Sequence, residues 1–134
     1  MNSNKKIAPR AATPETERKN NCTTNSITEN IGKIKVVLQR PGEISRIVTV
    51  LNTLETLQDM IGGYIEMHSL SNGLVLVMDE EGRLKGLPEN VRCVQYGTIV
   101  GTVFITAADD EGELISLTPE QCQSARAWLL KHSV

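Results

Sequence analysis

Residues 52–88 constrain the fold more than any other segment, because they contain signals for a helix, a hairpin and a further turn in close succession. Asn52 is suited to cap a helix, and Glu55 three residues later completes a capping box. The Gly-Gly pair at residues 62–63 ends that helix, since glycine tolerates the left-handed backbone of a C-cap. The Asn-Gly pair at residues 72–73 is a strong signal for a hairpin between two strands.

Strand-like segments lie on both sides of this unit. Residues 33–39 and 44–51 are rich in β-branched residues and are joined by a Pro-Gly turn, which predicts a hairpin. Residues 83–87 predict a short strand, and residues 98–107 form the longest β-type run of the chain. Thr118 opens a last helix with proline at its first position. The apolar seam of this helix consists of Cys122, Ala125 and Leu129.

The order of these elements predicts an α+β fold, with a largely antiparallel sheet of about five to six strands and two helices on one face. Residues 31–134 are expected to form a single domain, because 134 residues leave room for one. Residues 1–30 are rich in Asn, Thr, Lys and Glu, and their apolar residues have no period. They predict a disordered tail, the alternative being an arm that orders on contact with a partner.

Composition excludes several classes of function. The formal net charge of −2 and a pI of about 5.7 do not favour duplex DNA as a partner, and four aromatic residues make a poor stacking platform. Three cysteines without Cys-x-x-Cys spacing predict neither a disulfide framework nor a structural zinc site. The chain contains no apolar run of membrane-spanning length, so we expect a cytoplasmic protein without membrane contact.

Several short motifs resemble those of a family of small, uncharacterised proteins from bacteriophages and other mobile elements. The motifs are Leu-Gln at residues 57–58, GGYIE at 62–66, Gly-Leu-Val-Leu-Val at 73–77, Glu-Glu-Gly at 80–82, GLPEN at 86–90 and Ile-Val-Gly-Thr at 99–102. They cover roughly residues 33–118. The resemblance implies the same folding unit and a phage or mobile-element setting, but it implies no reaction.

No combination of residues predicts catalysis. Glu66 and His68 alternate onto one side of a predicted strand, but no activated nucleophile accompanies them, and a solvated sheet face is the simpler interpretation. The acidic turns at residues 79–82 and 109–112 lack the ligand spacing of a calcium loop. We therefore predict a protein that is not an enzyme and has no catalytic residues, no metal site and no cofactor.

The candidate binding site is the basic and polar cluster around the GLPEN motif. Arg83, Lys85, Asn90 and Arg92 follow one acidic turn and flank a proline-fixed exit, and Tyr64 offers a stacking surface. Arginine forks and amides suit phosphate groups and base edges, which predicts a small anionic nucleotide as ligand. Such a protein would sequester a nucleotide-type signal of host immunity. The alternative is an inhibitor or adaptor that binds a host protein.

Self-association is also expected. Residues 98–107 contain no charged side chain, and an unprotected strand edge of this kind tends to pair with a second copy. The chain is therefore predicted to form a homo-oligomer.

Overall fold

The computed structural model describes residues 32–134, and the tail predicted for residues 1–30 lies outside the described residues. Eight strands and two helices follow one another in the described part of the chain. The strands are β1 (Lys33–Gln39), β2 (Arg46–Leu51), β3 (Ile65–Ser69), β4 (Leu74–Asp79), β5 (Glu89–Cys93), β6 (Gly97–Val100), β7 (Val103–Ala108) and β8 (Leu114–Ile115). The helices are α1 (Leu54–Ile61) and α2 (Pro119–His132).

Six of the strands form one antiparallel sheet. Five of them lie in the order β2-β1-β7-β4-β3, and β8 pairs with the end of β7 that β1 leaves free. The remaining strands, β5 and β6, form a separate two-stranded hairpin. This arrangement confirms the predicted α+β class and the largely antiparallel sheet.

The two helices pack against different faces of the sheet, so the expectation that both lie on one face is wrong. Every residue of β4 is buried, and its side chains alternate between two apolar cores. Leu76 of β4 shares a core with Leu129 of α2. Val77, the next residue, shares the other core with Leu57 of α1. A strand that is apolar on both faces must be covered on both, and one helix supplies each cover.

Side-chain caps fix where both helices begin. The N-cap of α1 is Thr53, which accepts from the Thr56 N–H at 3.2 Å, and not the predicted Asn52. Asn52 instead donates from Nδ2 to the Leu114 carbonyl, because its position at the end of β2 places it beside β8. The capping box predicted at Thr118 is present at the start of α2.

A glycine divides the run predicted as one strand over residues 98–107. Gly101 has a φ of 80°, and a Cβ there would lie 2.7 Å from Leu87 Cδ1, so the chain turns at this point and β6 ends before it. β7 then enters the centre of the sheet between β1 and β4. It is not the unprotected edge on which the expected self-association was based.

The short strand predicted at residues 83–87 is a series of turns. The amides of Lys85, Gly86 and Leu87 donate back to carbonyls of residues 81–83, which leaves them unable to join a neighbouring strand. The basic candidate residues of this segment are therefore carried by a loop that lies between β4 and β5.

Candidate functional site

An ion pair with a buried carboxylate holds the loop that carries the predicted basic cluster. Lys85 Nζ lies 2.7 Å from Asp79 Oδ2, and the Asp79 side chain is 1% exposed. The same ammonium donates to the Gly62 carbonyl at 3.0 Å, which ties the loop to the end of α1. A Cβ on Gly63 would lie 2.5 Å from Lys85 Nζ, so a larger residue there would force the ammonium to move. Two hydrogen bonds within the protein thus hold the Lys85 ammonium, and 37% of the side chain is exposed.

Asn90 is likewise used inside the molecule. Its side chain is buried, and Nδ2 donates to the carbonyls of Gln39 and Gly101 at 2.9 and 2.8 Å. Its Oδ1 accepts from Gln39 Nε2 at 2.9 Å. These three hydrogen bonds join β5 to the end of β1 and to the turn between β6 and β7.

Arg83 and Arg92 are brought together at one residue of β6. Arg83 donates from Nη2 to the Thr98 carbonyl, and Arg92 donates from Nε to the Thr98 hydroxyl at 3.2 Å. Arg92 also pairs with Glu89 at 3.1 Å, and both partners are more than half exposed. Tyr64 is exposed beside the Asp79–Lys85 ion pair, since its carbonyl accepts from the N–H of the residue after Asp79. Within the predicted site, then, the two arginines form the exposed cationic pair.

His68 and Glu66 form a contact that closes the edge of the sheet. His68 Nε2 lies 2.8 Å from Glu66 Oε2, and the imidazole stacks on Tyr96 with ring centroids 4.2 Å apart. The Tyr96 hydroxyl donates to the Ser69 carbonyl at 2.6 Å. These contacts fasten the β5–β6 hairpin to β3. Within residues 32–134, no Ser, Thr or Cys side chain is hydrogen-bonded to His68 as an acyl-transfer nucleophile would be.

An open groove of about 550 Å³ lies between α2 and the turn that joins β1 to β2. Its apolar rim consists of Ile44, Leu130 and Val134, and the first two side chains are 83% and 80% exposed. Exposure of this degree is unusual for several large apolar side chains in one place, and it marks surfaces that contact other molecules.

The floor of this groove is polar. Gln39 is buried there, and its Nε2 donates to Asn90 Oδ1 and to Ser133 Oγ, both at 2.9 Å. Within residues 32–134, Gln39 Oε1 has no hydrogen-bond donor.

A second, smaller groove of about 330 Å³ continues the first along α2. The two share Gln123 and Arg126, and the second adds Lys35 and Ile47 from the first two strands. We call the two grooves together the α2 trough. Its lining residues are Lys35, Gln39, Gly42, Glu43, Ile44, Ser45, Ile47, Asn90, Pro119, Cys122, Gln123, Arg126, Ala127, Leu130, Ser133 and Val134.

Sequence reasoning missed the α2 trough, although one signal for it exists. Pro119, Gln123, Arg126 and Leu130 recur at helical spacing and form a stripe on α2 immediately beside its buried seam. Leu130 is the apolar member of that stripe and lies outside the seam. The other wall comes from residues 39–47, far away in sequence, so no local motif predicts the juxtaposition.

Other kinds of site find no support within residues 32–134. No group of three or more His, Cys, Asp or Glu side chains is placed to hold a metal ion there. Neither described helix is long and apolar enough to cross a membrane. Cys93 and Cys122 are buried free thiols, one in β5 and one in α2.

Fold and site together define a small α+β domain whose sheet carries one helix on each face and whose C-terminal helix borders an open trough. The chain belongs to the family described as Domain of unknown function (DUF3846), whose family model matches residues 34–130. That match covers the segment in which the short motifs lie. No curated protein and no solved structure matches the chain.

Proposed function

We propose that this chain is a non-enzymatic protein that binds another protein through the α2 trough and acts as an inhibitor or adaptor on a host factor. The observation that carries the proposal is the convergence of Ile44, Leu130 and Val134, all exposed, on the rim of one open trough. The phage or mobile-element setting is part of the proposal and rests on the motif resemblance. A cytoplasmic location is likewise part of the proposal.

The physical argument is the cost of leaving these side chains in water. Burying a large aliphatic side chain contributes roughly 1.5–3 kcal/mol, and the rim offers three such side chains around a concave surface. Arg126 and Glu43 lie at the same rim and can fix the orientation of a partner. Apolar centres with charged surroundings are typical of protein interfaces.

A second candidate function keeps the small anionic nucleotide as ligand. It is supported by the position of Arg83 and Arg92 on the same residue of β6, which presents two guanidinium groups at one place. Asn90 does not add to it, because its amide is buried and hydrogen-bonded, and the Lys85 ammonium is already paired with Asp79. Sequestration of a nucleotide signal of host immunity would therefore depend on the two arginines, with Tyr64 as a stacking surface.

The experiment compares two leucines of similar exposure. Leu130 lies on the trough and Leu84 lies in the loop after β4, and their side chains are 80% and 87% exposed. The full chain, Leu130→Asp and Leu84→Asp are each immobilised and exposed to the same bacterial lysate, and bound proteins are quantified by mass spectrometry. We expect a protein that binds the parent and Leu84→Asp but is lost with Leu130→Asp.

Two results would overturn this proposal in favour of another. If no captured protein depends on Leu130, the trough is not a protein interface. If, in addition, calorimetry shows that a nucleotide binds and that Arg92→Ala weakens it, the second candidate replaces the first. Self-association is tested separately by light scattering of the purified chain, where a monomer mass would reject the predicted homo-oligomer.

A further inference from the structure

The outer edge of β2 has backbone groups that pair with nothing in residues 32–134. β2 is the terminal strand of the sheet order. The Asn52 N–H donates to the Gly32 carbonyl, which identifies the positions at which β2 bonds to β1. Because bonding positions alternate along an antiparallel pair, the N–H and C=O groups of Ile47, Thr49 and Leu51 point outward.

The side chains at these three positions lie on the same face of the sheet as α2. Ile47 is paired with Val37, which belongs to the core beneath α2, and residues directly opposite each other share a face. Ile47 and Leu51 are exposed, and Thr49 between them is polar. An added strand would thus meet an apolar, a polar and an apolar position in turn.

Three cations lie near this edge, on the face of the sheet that α2 covers. Lys35 is paired with Thr49 and Lys33 with Leu51, so both lysines lie on the same face one strand further in. Arg126 of α2 lines the trough above Lys35. Within residues 32–134 none of these three cations has a carboxylate within ion-pair distance. A carboxylate on a partner could form an ion pair with these cations.

We propose that the partner supplies an extended acidic segment, which pairs with β2 as an additional antiparallel strand. This inference rests on the proposed function and names the chemistry of the partner. The segment has the pattern apolar-x-Glu-x-apolar, in which the apolar residues pack on Ile47 and Leu51. The glutamate lies beside Thr49, and the spacing of two strands puts its backbone about 10 Å from that of Lys35, within reach of two extended side chains.

A second copy of the chain and the N-terminal residues fit this edge less well. Two copies that paired through β2 would bring Lys33, Lys35 and Arg46 of each copy together, and like charges at an interface repel. Residues 1–31 contain five Lys or Arg but three Glu, so they do not supply the acidic character either. Charge complementarity therefore selects a different, acidic partner.

The probe is a capped nine-residue peptide with valine at its third and seventh positions, glutamate at its fifth and threonine or serine elsewhere. It is titrated in excess into the full chain while amide resonances are followed by NMR. We expect the largest shifts at β2 and along the trough face of α2. Replacing the peptide glutamate with lysine should weaken binding at least about ten-fold.

Backbone pairing is tested with N-methylated peptides. Methylation at the third, fifth and seventh positions removes the donors that face β2 in an antiparallel pair and should abolish binding, whereas methylation at the even positions should be tolerated. Dependence on the even set instead would overturn the antiparallel orientation. If neither set matters, strand addition itself is wrong.

Charge reversal in the protein supplies the matched control. Lys35→Glu should weaken binding of the glutamate peptide and restore binding of the lysine peptide. Lys131→Glu changes an exposed position of α2 outside the trough and should alter the binding of neither peptide. An acidic peptide that binds Lys35→Glu as it binds the parent would overturn the assignment of chemistry. A chain that instead forms a dimer lost on Thr49→Pro would show that β2 takes a second copy.

This outcome is distinguishable from failure of the proposed function. If a Leu130-dependent protein is captured but the peptides do not bind, the trough is an interface and only the acidic-strand inference is wrong. If the peptides bind as expected but no captured protein depends on Leu130, strand addition at β2 is supported and the wider trough is not the interface.

Discussion

Two regions of the molecule use polar residues in opposite ways. From the end of β4 to β5, buried polar groups have partners within the protein: Asp79 pairs with Lys85, and Asn90 bonds to Gln39. Along the α2 trough, large apolar groups are turned outward and cations stand without partners in the described part of the chain. The first region contains the Glu-Glu-Gly and GLPEN motifs, whereas Asn90 is the one residue of the short motifs among those that line the trough.

The difference indicates that the recognisable motifs specify the fold. Gly63 leaves room for the Asp79–Lys85 ion pair, and Gly82 leaves room for Val100, whose Cγ2 would lie 2.8 Å from an added Cβ. Gly101 leaves room for the Leu87 side chain in the same manner. These three glycines of the motifs permit a close approach between elements. A short motif that is easy to recognise can therefore be a structural one, and binding residues must then be sought elsewhere.

The comparison predicts that substitution of Lys85 has the largest effect on stability. Lys85→Met leaves the Asp79 carboxylate buried without a cation, and removing one partner of such a pair should lower the free energy of unfolding by about 3 kcal/mol. Urea denaturation followed by circular dichroism measures the change. Lys131→Met, at an exposed position of α2, is the control and should stay close to the parent. Equal losses in both variants would mean that the ion pair does not hold the loop.

The adjacent glycines sharpen the comparison, since a side chain is disfavoured at each for a different reason. Gly63→Ala places a methyl group against Lys85 Nζ and the Asp79 carboxylate, which should cost about 2 kcal/mol of unfolding free energy. Gly62 has a φ of 93° but open space around it, so Gly62→Ala should cost about 1 kcal/mol from backbone strain alone. Combining each change with Lys85→Met separates the two causes. The penalty at residue 63 should shrink in that background and the penalty at residue 62 should not.

The smallest effect on stability is expected in the trough. Leu130→Ser removes an exposed apolar side chain and should change the unfolding free energy by no more than about 0.5 kcal/mol. Thermal unfolding of the purified variant is the measurement. A loss comparable to that of Lys85→Met would show that Leu130 supports the fold, and the two regions would then not differ in the way described.

Local signals predicted much of the fold. The capping box at Thr118, the C-cap at Gly62 and the turn at Asn72 each depend on residues close in sequence, and each is present. Distribution of the helices was predicted wrongly, although the wholly apolar β4 contained the information that both faces are covered. Asn52 failed as a cap because a long-range hydrogen bond to Leu114 competes for its side chain.

The candidate site was harder to predict from the sequence. Arg83 and Arg92 meet at Thr98 through the pairing of β5 with β6, a hairpin that the irregular pattern of residues 89–96 did not indicate. Burial of Asn90 depends on Gln39, about fifty residues away, and could not be read from its neighbours. The walls of the trough come from residues 39–47 and 119–134, which are distant in sequence. The exposed stripe on α2 is therefore the only local signal that indicates the trough.

The central position of β7 has a consequence for the order in which the chain can fold. β1 with β2, and β3 with β4, are hairpins that can form as soon as they leave the ribosome, but each presents an unpaired, apolar strand edge until β7 arrives. β7 is synthesised after both and joins them through contacts distant in sequence, which are slow to form. During synthesis the two hairpins are therefore separate and prone to aggregate through their exposed edges. Chaperones or rapid translation of the last quarter of the chain would protect them from aggregation.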